Sequence, residues 1–399
     1  MFKKISLLMV VFLLSIFLTI PSAGAVLSWD PMVNGTLTGN RAPGFGDNNN
    51  ILAMSVVTFD NYVYVSNYNG TTGTEVWRSA DGTTWEQANT DGFGTGTNSY
   101  AILAVFGDHL YAFNWNLADS YIDVFRYSSG TAWTDLANIG DGQNPMNNPL
   151  VTAIYGNALY VEAYRTNNGT SAIFNSTDGS TWTNLNQDGF GDANNETIMS
   201  LAAYNNLLYA GTYNDATGTE VWRYDGVSWT QDNTDGFGDA DNISTGALTS
   251  FNGSLYASTT NGATGAEVWK FTVGGAWTKV SDAGFGQGSS ANTSYSGVVF
   301  KDRMYLGIGA TIAKVFRTTD GSTYEQVNVD GFGYADNQVT MFTVLGDYLY
   351  AGTGLIPVIE RQGGPNTTEV YRYYEASAVS LPQTGRDTPL NAYILDALM

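Results

Sequence analysis

The chain has 399 residues, 46 of them Gly and none Cys, with 14% aromatic residues and a formal charge of −21. That aromatic content excludes a disordered chain, and the charge argues against nucleic acid or anionic lipid as a partner. Without Cys there is no thiol nucleophile, no thiolate metal site and no disulfide, so stability has to come from packing.

Residues 1–25 read as a secretory signal. MFKK supplies the positive start, ISLLMVVFLLSIFLTI (5–20) the apolar stretch, and Ala23 and Ala25 the small-x-small pattern before a cut at Ala25/Val26. The alternative is an uncleaved membrane anchor. A mature, exported chain is expected from residue 26 onward.

From there a unit repeats. Leu-Tyr-type pairs, with Val63 and Met304 in place of Leu in two copies, place Tyr64, Tyr111, Tyr160, Tyr209, Tyr256, Tyr305 and Tyr350 at intervals of 45–49 residues. EVWR-like strands follow each, at 75–78, 123–126, 172–175, 220–223, 267–270, 314–317 and 369–372. Gly-Phe pairs stand at 44–45, 92–93, 189–190, 236–237, 284–285 and 331–332, with a degenerate copy near Gly142. In the fourth copy TIMSLAAY (197–204), LLYAGTY (207–213), TEVWRY (219–224) and SWTQDN (228–233) are strand candidates joined by turn residues. Four strands on a period in the forties predict an all-β, seven-bladed β-propeller of four-stranded antiparallel blades over residues 26–375. A β-solenoid is the other architecture with repeats, but its coils are shorter.

The last copy (340–373) lacks a clear fourth strand, and SWDPMVNGTLTGNRAPGFGDNNN (28–50) matches the missing piece. Trp29 stands where Trp85, Trp133, Trp182, Trp229, Trp277 and Tyr324 stand elsewhere. Residues 26–50 are therefore expected to complete the last blade and close the ring, covering an edge that would otherwise be exposed.

The repeated Trp, the Phe of GFG and the repeated Arg (Arg78, Arg126, Arg223, Arg317, Arg372, with Lys270) are expected to be packing and ion-pair residues, because every unit needs them. The hairpins at 79–85, 176–182 and 318–324 resemble the Asp-box of secreted propellers, sialidases included, one residue short of S-x-D-x-G-x-T-W. That resemblance implies a rim turn away from any centre. The whole of 28–375 resembles uncharacterised bacterial extracellular propellers built from GFGD–LYAGT–EVWRS–DG repeats, which implies a fold and no defined activity.

The loops vary more than the strands. The GFG connectors and the second-to-third-strand loops are expected on one face, rich in Asn, Asp, Thr and Gly with aromatic rings nearby. Asn69, Asn214, Asn261, Arg165 and Arg361 are the candidate ligand residues there, for a carbohydrate or a protein; ordinary polar turn chemistry is the other reading. Asp188, Asp192, Asp235, Asp239 and Asp241 offer hard oxygen ligands for a structural calcium ion, although their spacing is not that of an EF-hand. A sialidase-type hydrolase would need an Arg cluster, for which Arg41, Arg165 and Arg361 are available, and an acid/base carboxylate such as Glu162. The leading expectation is a binding or adhesion module without catalysis, and a monomer. A purely structural surface protein is the third reading.

After the last strand comes Leu381-Pro382-Gln383-Thr384-Gly385, which resembles the LPxTG sorting motif of cell-wall proteins. The resemblance implies cleavage between Thr384 and Gly385 by sortase and linkage of Thr384 to the cell wall. The apolar span and basic tail of a full signal do not follow in 386–399. Either the sequence stops inside that span or the match is fortuitous; its place after the final unit favours the first.

Overall fold

Aromatic and β-branched runs form strands here because each is closed by residues that adopt left-handed backbone. Asp60-Asn61, Asn205-Asn206, Asn252-Gly253 and Lys301-Asp302 all have positive φ and turn a first strand tightly into a second. The computed structural model describes residues 28–116, 121–136, 138–140, 148–165, 169–186, 188–309, 311–335, 337–354 and 367–374. The signal-like segment, the degenerate Gly142 region, Arg361 and the 381–385 motif lie outside the described residues. No α-helix occurs among those described.

The strands follow one another as four-stranded antiparallel meanders. After β1 (Ser28–Val33), the first meander is β2 (Leu52–Phe59), β3 (Tyr62–Tyr68), β4 (Val76–Ser79) and β5 (Glu86–Gln87). Next come β6 (Asn98–Phe106), β7 (His109–Asn116), β8 (Ile122–Ser129) and β9 (Ala132–Asp135), then β10 (Thr152–Tyr155), β11 (Ala158–Arg165), β12 (Thr170–Ser176) and β13 (Thr183–Asn184). β14 (Thr197–Tyr204), β15 (Leu207–Tyr213), β16 (Val221–Tyr224) and β17 (Trp229–Gln231) precede β18 (Asn242–Phe251), β19 (Ser254–Asn261), β20 (Val268–Phe271) and β21 (Thr278–Lys279). β22 (Thr293–Phe300), β23 (Arg303–Gly309), β24 (Lys314–Thr318) and β25 (Glu325–Gln326) are followed by β26 (Val339–Leu345), β27 (Tyr348–Gly354) and β28 (Glu369–Tyr374). The final meander takes its fourth strand from the other end of the chain. β1 pairs antiparallel with β28, Trp29 opposite Tyr373.

The third and fourth strands are shorter than the sequence suggests. An asparagine just past the fourth strand caps an N–H of the third. Asn89, Asn186, Asn233 and Asn328 each accept the backbone N–H of Val76, Ile173, Val221 and Val315 at 2.6–2.7 Å.

The core lies in layers between successive meanders. One layer joins Tyr111, Phe113 and Val124 to Leu159, Val161 and Phe174; another joins Met32 and Tyr350 to Val56, Val63 and Trp77. The first strands β2, β6, β10, β14, β18, β22 and β26 each pack beside the next, and β26 packs beside β2. In every complete copy the GFG Phe takes a left-handed conformation and lays its ring on the third strand, as Phe45 does on Trp77 at 5.0 Å and 4°. The gain in ring packing offsets the backbone strain, which is of order 1 kcal/mol.

Candidate functional site

The two loop sets meet on one face, backbone against backbone. A Cβ on Gly73, Gly218 or Gly265 would stand 2.6–2.7 Å from the Cα of Gly92, Gly236 or Gly284, and all three have positive φ. Only glycine fits there.

That contact decides the fate of Asn69, Asn214 and Asn261, which are fully buried. The Oδ1 of Asn69 accepts the backbone N–H groups of Thr71 and Thr72, both at 3.0 Å, and Asn214 and Asn261 do the same for their own loops. Their Nδ2 atoms donate to Asn50, Asn195 and Asn242 at 3.0–3.2 Å. Those three donate in turn to Oε2 of Glu75, Glu220 and Glu267 at 2.6–3.0 Å. The same Oε2 atoms receive Nε1 of Trp77, Trp222 and Trp269. Burial raises the carboxyls of Glu75 and Glu220 above the usual range. The loop asparagines are thus internal brackets, with the groups that the sequence offers to a ligand already spent. Periodicity gave their position along the chain, but not that their side chains turn inward.

The acidic residues are likewise committed. Arg165 Nε lies 2.8 Å from Asp188 Oδ2. Asp192 and Asp239 accept the backbone N–H of Asn194 and Asp241, and Asp235 accepts from Gln231 Nε2. Asp239 also accepts from Asn261 at 3.3 Å. Among the described residues no three acidic or His side chains gather to hold a metal ion. Asp192 and Asp239 thus cap turns of their own loops, Asp188 pairs with Arg165, and Asp235 takes a side-chain amide. Arg41 donates to the carbonyls of Met32 and Pro31. The repeated Arg residues pair with fourth-strand carboxylates: Arg78 with Glu86, Arg223 with Asp232, Arg317 with Glu325.

The first strands enclose a cavity of about 370 Å³. Its wall includes Met54, Ile102, Met199, Leu248, Tyr295 and Met341. No carboxylate, imidazole or cation lines it among the described residues. Met54, Met199, Gly246 and Tyr295 are each the unpaired residue of a β-bulge. A bulge re-aims a side chain and recurs at functional rims. Burial pushes the Tyr295 hydroxyl up to about 12. The serines beside the bulges are tied to the next strand: Ser55 Oγ donates to Leu103 O, Ser200 to Thr245 O and Ser296 to Thr340 O. Sequence reading missed these residues, since a bulge leaves no residue-type signature.

Glu162 lies behind this wall, fully buried. β10 is four residues long, against seven to ten in the other first strands, and Pro149 stands just before it without an N–H to give. Glu162 compensates. Its Oε2 accepts Leu150 N–H at 2.9 Å and its Oε1 accepts the Ser171 hydroxyl at 2.5 Å. Burial pushes the carboxyl up to about 8. Its burial favours the protonated form, and its oxygens hold the chain beside the short strand.

No protein-family model matches the chain, and no curated protein sequence does. Solved structures do. The chain is similar to YCF48 bound to D1 peptide, with 13% identity, a TM-score of 0.56, and coverage of 84% of this chain and 95% of that one. YCF48 from Cyanidioschyzon merolae gives 12%, 0.53, 82% and 96%. The RRP9 WD40 repeats give 11%, 0.53, 81% and 94%. The fold is a β-propeller type. At such identities the likeness extends to fold alone.

Proposed function

We propose that the chain is a secreted, surface-displayed, seven-bladed β-propeller that binds carbohydrate or protein through its loop face and catalyses nothing. The seven tyrosine-marked repeats and the contact of β26 with β2 support the blade count. The pairing of β1 with β28 supports closure by the N-terminal strand. The signal-like residues 1–25 support export, and Leu381–Gly385 supports attachment to the cell wall by sortase.

The cavity carries the binding reading. Four bulged first-strand residues meet around a space large enough for a small ligand group, and its wall is apolar with a few polar atoms. A sialidase-type hydrolase needs an Arg cluster and an acid/base carboxylate, and the described residues of this wall supply neither. The sialidase-like alternative draws on Arg41 and Arg165, which are held by backbone carbonyls and by Asp188. The test is a glycan array and a peptide array probed with the full chain. Saturable binding without turnover is expected; release of sugar from a bound glycan would overturn the reading.

A further inference from the structure

Repeats supply an internal control: a residue needed for blade packing recurs in every copy, and one that serves a ligand does not. The fourth residue after each repeat tyrosine stands at the end of the second strand, beside the loop face. It is Tyr68, Trp115, Tyr164 and Tyr213 in the first four copies, and Thr260, Gly309 and Gly354 in the last three. Packing therefore does not require a ring at this position. At Gly309 and Gly354 neighbouring backbone fills the place, since a Cβ on either would stand 2.5 Å from the carbonyl oxygen of Gln338 or Ile51. In the first four copies the ring is half-buried, with part of its surface in solvent.

Three rings touch across the first two meanders. Tyr68 lies 6.2 Å from Tyr100 and 6.4 Å from Trp115, and Tyr100 lies 5.2 Å from Trp115. Tyr100 is buried beneath, its hydroxyl donating to Pro149 O at 3.1 Å. Rings in direct contact leave no slot for a cation between them, so this is a platform and not a cage. Trp115 Nε1 is buried and has no hydrogen-bond partner among the described residues. Oxygen acceptors flank the rings: Asp215 beside Tyr213, and Asp123 beside Asn116.

We infer that Tyr68 and Trp115 form a stacking platform for a neutral polysaccharide, with Tyr164 and Tyr213 at the equivalent positions of the next two copies. The inference rests on the binding reading above and places the glycan at the second-strand ends of the loop face, outside the cavity. Flat rings with tyrosine hydroxyls at their edges match the apolar faces and hydroxyl edges of a sugar ring. The formal charge of −21 works against an anionic glycan.

The experiment is titration of the full chain with neutral glucan, mannan and xylan, with polygalacturonate and a proline-rich peptide as comparisons. Wild type is expected to bind a neutral glycan. Trp115→Ala and Tyr68→Ala are each expected to weaken it about tenfold, and Val227→Ala, exposed on a hairpin outside the platform and the cavity, to leave it unchanged. Trp115→Phe and Tyr213→Ala carry the test if Trp115→Ala does not fold. Glycan binding that survives the platform variants overturns the platform and leaves the binding reading intact. Binding to the peptide alone does the same. Binding to none of these probes overturns the platform, and the peptide array then decides the broader reading.

Discussion

The indole Nε1 of Trp29 donates a 3.0 Å hydrogen bond to the carbonyl oxygen of Val327, 298 residues away in sequence. Elsewhere the same reach is local: Trp133 donates to Ala88 O and Trp277 to Asp232 Oδ2, each 45 residues back. Trp29 also sets its ring edge-on to Phe332 at 5.2 Å, as Trp133 does to Phe93 at 5.2 Å. The start of the chain therefore fills the seat that a fourth strand fills elsewhere. Trp29→Ala is expected to destabilise by roughly 2–4 kcal/mol, and Trp133→Ala by a similar amount. Denaturant unfolding of the two variants checks this. A cost under about 0.5 kcal/mol for Trp29 alone would show its seat to be unlike the others.

The loop-face glycines should be intolerant for a steric reason. Gly218→Ala is expected to cost at least about 2 kcal/mol, because its Cβ would lie 2.6 Å from Gly236 Cα on a backbone with φ +99. Gly238→Ala, with φ +94 and nothing within 4 Å of its Cβ, should show only the backbone strain, about 1 kcal/mol. Thermal melts of both distinguish contact from strain, and equal losses would remove the contact argument.

Glu162 fixes a pH dependence. Its carboxyl titrates near 8 in the fold against 4.5 as the ordinary value, because burial disfavours the charge. The folded state keeps a proton that the unfolded chain releases. Its contribution is therefore fully present below about pH 4.5 and is lost progressively as pH rises towards 8. Glu75, Glu220 and Glu369 are raised by the same burial and add slopes of the same sign. Asp178 and Asp320, held low by the amides of Thr181 and Ser180 and of Thr323 and Ser322, add the opposite sign below the ordinary aspartate range. Between pH 5 and 8 the Glu162 loss is on the order of 3–5 kcal/mol. Glu162→Gln should flatten that part of the slope and melt higher than wild type at pH 8. A variant that melts lower at pH 8 would contradict a neutral acid at this site.

Chelation should be without effect on the described fold. Asp188, Asp192, Asp235 and Asp239 hold turn amides, a side-chain donor or Arg165, and Asp241 gives its backbone N–H to Asp239. Melting in EDTA is expected to match melting in calcium within about 1 °C; a clear rise with calcium would show ligands that these contacts do not reveal.

Much of the fold was legible because packing residues repeat. The tyrosines from Tyr64 to Tyr350, the Trp of EVWR and the Phe of GFG each recur where a layer between meanders needs them. What periodicity could not give was direction. Asn69, Asn214 and Asn261 look like loop residues offered to solvent, yet their short side chains fold back onto loop amides. Met54 and Tyr295 look like strand residues, yet bulges turn them into the cavity. Glu162 looks like a spare carboxylate, yet it replaces a strand that Pro149 interrupts. The usable signal lay in positions that differ between copies, such as Tyr68 and Trp115 against Gly309 and Gly354.

The most direct test of the account is calorimetric melting of the mature chain with and without residues 26–50. These residues supply β1, which pairs with β28, and Phe45, which stacks on Trp77. Loss of a single cooperative transition, or a fall in Tm of more than about 10 °C, is the predicted result. An unchanged transition would contradict closure of the propeller by its N-terminal strand.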